Sequence, residues 1–127
     1  MAIRTELSLR LPNSPGALER VCDVLSEARV SILALHLESS GRLRLVVDNA
    51  LHAAGALRER QYQVEERDVL YVLLPNAPGA LAGSTRLMAE AGINVEYAYG
   101  SAVEGVPMTA AVFGVADAQR AAAAVGF

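Results

Sequence analysis

The chain of 127 residues has no lysine, so all eleven of its basic side chains are arginines. That absence excludes Schiff-base, pyridoxal-phosphate and P-loop lysine chemistry. Tryptophan is also absent, and the aromatic, basic pattern by which a ferredoxin-like module reads RNA is not found. The single cysteine, Cys22, leaves no disulfide framework and no pair of thiolates for zinc. It falls among the apolar positions of a helix and reads as a small hydrophobe. His36 and His52 lie in different elements, so no metal site is expected, and no spacing suggests a catalytic triad. Basic residues are outnumbered by fourteen acidic ones, for a net charge of -3, which argues against collecting nucleic-acid phosphates or anionic lipid. No apolar run approaches the ~20 residues that span a bilayer. The opening MAIRTELSLR lacks the apolar stretch of a signal peptide, so a cytoplasmic location is expected.

What is present is a core and a repeat. Apolar residues make up 53% of the chain and charged ones 20%, a balance that suits a packed domain rather than a disordered tail. LPNSPGAL at 11–18 returns as LPNAPGAL at 74–81, seven of eight residues agreeing at an offset of 63. The same offset carries Val30-Ser31-Ile32 onto Ile93-Asn94-Val95. Beyond that the second copy gains about two residues, Val46-Val47 aligning with Ala111-Val112. The halves are 1–67 and 68–127, with no Gly/Ser or Pro-rich linker between them, and units of ~60 residues are marginal alone. They are expected to pack together.

In the first half Leu7, Leu9 and Leu11 alternate with Ser8 and Arg10, as a half-buried strand does. Leu18, Val21, Cys22, Leu25 and Ala28 then follow helical spacing. Strands at 30–37 and 43–47, a helix at 50–60 and a strand at 62–66 complete the order. That order fits an α+β, ferredoxin-like βαββαβ unit. The second half repeats it as strand 69–74, helix 79–91, strands 93–100 and 107–113 and helix 116–124. Too little chain follows for a fourth strand, so 69–74 is expected to be an open edge. Val69, Tyr71 and Leu73 stand where the first half has Glu6, Ser8 and Arg10, and about Thr109 and Phe113 where it has Arg44 and Asp48. Arg42 and Arg44 read as a solvated face. An apolar face of this kind predicts a homodimer burying Val69, Tyr71, Leu73 and Phe113.

The most specific feature is Asn-x-Pro-Gly-Ala-Leu, at 13–18 and again at 76–81. Glycine lets a ligand approach the backbone, and a first helical turn offers N–H groups at the positive end of its dipole, a place for a carboxylate. Asn13 and Asn76 could cap the helices, or bind both the carboxylate and the ammonium of an amino acid. The motif is equally good turn chemistry, and the residues alone leave both readings open.

The tandem strand, (D/N)-x-P-G-x-L, helix and G-(I/V)-N-(I/V) pattern resembles the ACT domain, a small regulatory module that binds amino acids. Ala91-Gly92-Ile93-Asn94-Val95 fits it well, whereas Ala28-Arg29-Val30-Ser31-Ile32 lacks the glycine and the asparagine. The resemblance covers nearly the whole chain. At both asparagine positions it is similar to the serine-sensing members of the family found on phosphoglycerate dehydrogenase. It implies two units paired side by side, with ligands between the Pro-Gly loop of one and strand two of the other. Carried onto this sequence, one site takes Asn13, Ser14, Gly16, Ala17 and Leu18 with Asn94, Tyr97 and Tyr99. The other takes Asn76, Ala77, Gly79, Ala80 and Leu81 with Ser31, and with Ala34 and His36 nearby. The expected protein is a non-catalytic sensor without a cofactor. It binds an L-amino acid and regulates a partner, for example an enzyme of amino-acid metabolism. The alternative is an assembly subunit of such an enzyme, acting through protein contacts.

Overall fold

The computed structural model describes residues 3–126. Among the described residues the fold is α+β, with six antiparallel strands and four helices, consistent with ferredoxin-like units. In chain order these are β1 (Ile3–Arg10), α1 (Ala17–Glu27), β2 (Ile32–Leu37), β3 (Arg42–Val47), α2 (Ala50–Glu59), β4 (Glu65–Pro75), α3 (Ala80–Glu90), β5 (Tyr97–Ser101), β6 (Met108–Gly114) and α4 (Ala118–Ala124). The chain forms two compact units. One is Thr5–Arg67, and the other joins Asp68 and the residues after it to the start of the chain.

In the first unit the strand order is β2-β3-β1. Leu7, Leu9, Leu43, Leu45 and Val47 point to one face and meet Val21, Leu25, Ala53, Ala54 and Leu57 of α1 and α2 in a single core. Period-2 and period-3.6 apolar patterns thus converge on one layer boundary. Helix α1 ends in a tight turn in which Val30 N–H reaches Leu25 O and Arg29 N–H reaches Ser26 O. Arg29 is left-handed there, at φ 58. Gly92 holds the same place after α3, at φ 71, and glycine is the residue this conformation favours.

The second unit has the order β4-β6-β5. Its core is Leu70, Val72, Leu74, Met88, Phe113, Val115 and three alanines of α4. Ile3 packs against this core, and the Arg4 guanidinium stands 5.1 Å from the centroid of the Tyr71 ring, within cation–π range. The unit therefore draws on the first strand of the chain, which the sequence assigns to the other half. Strands expected at 62–66 and 69–74 are one continuous strand, β4, because no turn residue interrupts Glu65–Pro75. The strand expected from 93 starts only at Tyr97.

The ladders correct the repeat alignment. Leu9 faces Leu43 in the first unit, and its counterpart Val72 faces Ala111 in the second. From β3 to β6 the offset is therefore 68 rather than 65, and the second copy carries five extra residues in its β5–β6 loop, not two. A slip of odd length exchanges the two faces of a strand. Phe113, expected on an outward dimer surface, is instead in the core at 2% exposure, and Val112 holds the place of Arg44. Val69 is also fully buried. Of the four residues assigned to a dimer face, Leu73 alone is exposed, at 49%. Nor is the outward face of β1 and β3 simply solvated. Arg42 donates to Ser8 Oγ at 2.7 Å. Arg44 hydrogen-bonds Glu38 and places its Nε 4.0 Å from the carboxylate of Glu6, which is 1% exposed.

Candidate functional site

Both Pro-Gly loops make the same turn. Gly16 and Gly79 precede α1 and α3 in the left-handed region, at φ 84 and 86, and neither helix has a side-chain cap. Asn13 and Asn76 are thus not helix caps. The first N–H of each helix is taken by the loop, Ala17 donating to Ser14 O and Ala80 to Ala77 O at 3.3 Å. The next two, Leu18 and Glu19 in α1 and Leu81 and Ala82 in α3, have no intrahelical partner by geometry and stand at the positive end of the helix dipole.

Asn76 has a different task. Its Nδ2 donates to Val103 O at 2.9 Å and to Val106 O at 2.8 Å, while its own N–H reaches Pro107 O at 2.9 Å. These bonds tie down the extra residues of the β5–β6 loop. With both amide hydrogens committed, the side chain offers a ligand only its carbonyl oxygen, which suits an ammonium and not a carboxylate.

Each loop opens onto a hollow in its own unit. In the second unit a cavity of about 670 Å³ lies between the loop, the first turns of α3 and the helix-side face of β5 and β6. Asn76, Ala77, Ala80, Leu81, Thr85 and Tyr99 line its rim and wall, and Ala98, Gly100, Thr109 and Ala111 line its floor. In the first unit the corresponding hollow is about 270 Å³ and is lined by Asn13, Ser14, Gly16, Ala17 and Leu18, with Glu19 and Glu38. The hydrogen bond from Arg44 holds the Glu38 carboxyl below its ordinary value of 4.5, despite some opposing desolvation.

Of the expected site residues outside the loops, Tyr99 alone lines a hollow. Asn94 is exposed, between Ile93 and Val95, which pack against the second core. Tyr97 and Tyr99 stack with ring centroids 6.4 Å apart and an interplanar angle of 7°. They pair with Gly114 and Val112, on the face away from the helices. The Tyr97 ring lies so close over Gly114 that a Cβ there would come within 2.2 Å of it. Ser31 donates its N–H to the Asp48 carboxylate at 3.0 Å. What the sequence missed is the cavity floor. The signal was present in the small residues of β5 and β6, but reading it required the correct register.

Among the described residues no group of three His, Cys, Asp or Glu side chains gathers to hold a metal ion, and no helix is long and apolar enough to cross a membrane.

Several solved structures share this architecture. Protein BT0572 from Bacteroides thetaiotaomicron is similar with a TM-score of 0.89 and 27% identity, over 98% of this chain and 88% of that one. The regulatory subunit of aspartate kinase from Thermus flavus shares the fold at a TM-score of 0.67 and 18% identity, over 99% and 95% of the two chains. Aspartokinase III of E. coli, in complex with lysine and aspartate, matches at a TM-score of 0.62 and 17% identity, over 98% of this chain and 30% of that one. No curated protein matches the chain. The model of the ACT domain pair matches residues 1–125. The chain belongs to the ACT domain family, as a pair of these regulatory, amino-acid-binding modules.

Proposed function

We propose that this ACT pair is a non-catalytic sensor that binds an L-amino acid and reports it to a partner polypeptide. The observation that carries the reading is the second unit's loop. The N–H groups of Leu81 and Ala82 in the uncapped first turn of α3, the carbonyl oxygen of Asn76 and an adjoining cavity lie together. These are the three features an amino acid needs, for its carboxylate, its ammonium and its side chain respectively. Occupancy then favours one arrangement of the protein by its differential affinity for that arrangement. The partner is proposed to be an enzyme of amino-acid metabolism, and the location cytoplasmic.

A thermal-shift screen of the twenty L-amino acids tests the reading. A ligand at 100 times its Kd stabilises the native state by about 2.7 kcal/mol. A selective shift that is lost in Asn76→Ala supports the sensor, and twenty flat traces overturn it. A second reading, a subunit acting mainly through protein contacts, is favoured by one feature. Leu33, Leu35 and Leu37 of β2, which pairs with β3 on one side, are each about two-fifths exposed, and a strand edge of that kind accepts a partner. Recovery of a stoichiometric enzyme from cells, with no amino-acid binding, would favour it.

A further inference from the structure

The two hollows are the same place in two copies of one repeat, so each serves as the control for the other. In the first unit Leu35 faces Leu45, and Leu37 faces Leu43. In the second, Ala98 faces Phe113 and Gly100 faces Ala111. Ala98, Gly100 and Ala111 therefore stand where the first repeat has Leu35, Leu37 and Leu43. Three isobutyl groups are gone from one patch of sheet floor, and the hollow above that patch is about 670 Å³ against about 270 Å³. Ligand pockets commonly run from about 300 to 1,000 Å³, so one hollow has the volume of a binding site and the other falls short of it.

The chemistry of the walls is as informative as their spacing. Among the described residues no charged side chain lines the larger cavity. The two threonines on its wall and floor are turned to the protein: the Thr85 hydroxyl donates to Leu81 O and Ala82 O at 3.0 and 3.1 Å, and that of Thr109 donates to Ser101 O. Water gains little from hydroxyls that are already bonded, while an apolar group placed against this floor is removed from water and makes dispersion contacts. The smaller hollow instead carries Glu19 and Glu38, which repel a carboxylate.

We infer that the second unit's cavity receives the uncharged, apolar side chain of the ligand. The ligand is then an aliphatic or aromatic amino acid, bound once per chain, and not a lysine or aspartate. This rests on the sensor reading above, and extends it from the backbone groups of the ligand to its side chain.

Titration calorimetry on the whole chain tests it, with L-leucine, L-phenylalanine, L-lysine and L-aspartate as ligands. The expected result is one molecule of L-leucine or L-phenylalanine per chain, at least roughly 100-fold tighter than either charged amino acid, an equilibrium difference of about 2.7 kcal/mol. Ala98→Leu and Ala111→Leu restore the first repeat's residues and are expected to abolish that binding while leaving the thermal transition unchanged or higher. Either variant suffices if the other fails to fold. Gly100 is left alone, because a Cβ there would come within 2.8 Å of Ala110 O. Equal affinity for L-lysine, or L-leucine binding that survives the refilled floor, overturns the inference and leaves the sensor standing. A parallel titration with 4-methylpentanoate, which has leucine's side chain and carboxylate but no ammonium, separates the two failures. If it binds the wild type but not Ala98→Leu while no amino acid binds, the cavity assignment holds and the amino-acid reading falls. If none of these compounds binds, both fall.

Discussion

Truncating Phe113 to alanine distinguishes a core residue from an interface residue. The side chain is 2% exposed and packs in the second unit's cluster with Leu70, Val72 and Met88. Removing an aromatic ring from such a site costs about 3–5 kcal/mol, from lost burial plus the cavity left behind. That is a large share of a total stability of about 5–15 kcal/mol. Leu73, on the same sheet but 49% exposed, has roughly half a side chain to lose, about 1 kcal/mol. Urea denaturation followed at low and high protein concentration reads both. The midpoint of Phe113→Ala is expected to fall sharply and by the same amount at each concentration, and that of Leu73→Ala only slightly. If Phe113→Ala kept the wild-type midpoint and merely weakened self-association, the register of β4 against β6 would be wrong, and with it the floor of the cavity.

Four further outcomes follow from local features. Arg29→Gly places glycine in a left-handed position that arginine holds at φ 58, so stability is expected to rise by about 1 kcal/mol in a melting experiment. Gly41→Ala is expected to be more harmful than Gly79→Ala: both positions have positive φ, but a Cβ at Gly41 would come within 2.4 Å of Leu11 O while Gly79 has open space around it. Asn76→Ala removes two hydrogen bonds to the β5–β6 loop. It should cost about 1–3 kcal/mol and speed amide exchange at residues 103–107. For Glu38, Arg44 lowers the folded-state pKa below 4.5. The pair therefore stabilises the fold above pH 4.5, and that contribution is lost as pH falls through the lowered value. Glu38→Gln should flatten this acid limb in a pH series of melting temperatures, and a limb of unchanged slope would contradict the assignment.

The fold was largely legible because its signals are local and repeated. The LPNxPGAL pair and the alternation in β1 reported two copies of one unit, and helical spacing placed Val21 and Leu25 in a core where they are found. The failures share a cause. A two-residue gap and a five-residue gap both put small apolar residues opposite one another, and only the hydrogen-bonded ladder separates them. That difference decides which face Phe113 occupies. Ile3 and Arg4 were misread for a similar reason, since the alternation of β1 says nothing about which core its first residues join. Buried Glu6 carried no sequence signal at all, because its partner Arg44 is distant in the chain and was assigned to solvent.

The site was half visible. The loops Asn13–Leu18 and Asn76–Leu81 were identified from their glycines, and both line hollows, but nothing in the motif says that the amide of Asn76 holds Val103 and Val106. Asn94, Tyr97 and Tyr99 came with the family resemblance; Asn94 and Tyr97 lie apart from both hollows, and Tyr99 lines the second. The cavity floor needed the corrected register before Ala98, Gly100 and Ala111 could be compared with Leu35, Leu37 and Leu43.

The most direct test of the central claim is a map of backbone amide shifts in solution as an amino acid that stabilises the protein is added. Saturable changes are expected, centred on Leu81 and Ala82, where the carboxylate meets α3, and on Ala98–Ser101 and Ala111 beside the cavity floor, with the first unit's loop at Asn13–Leu18 little affected. Changes confined to Asn13–Leu18, or a spectrum that does not move with any of the twenty amino acids, would contradict it.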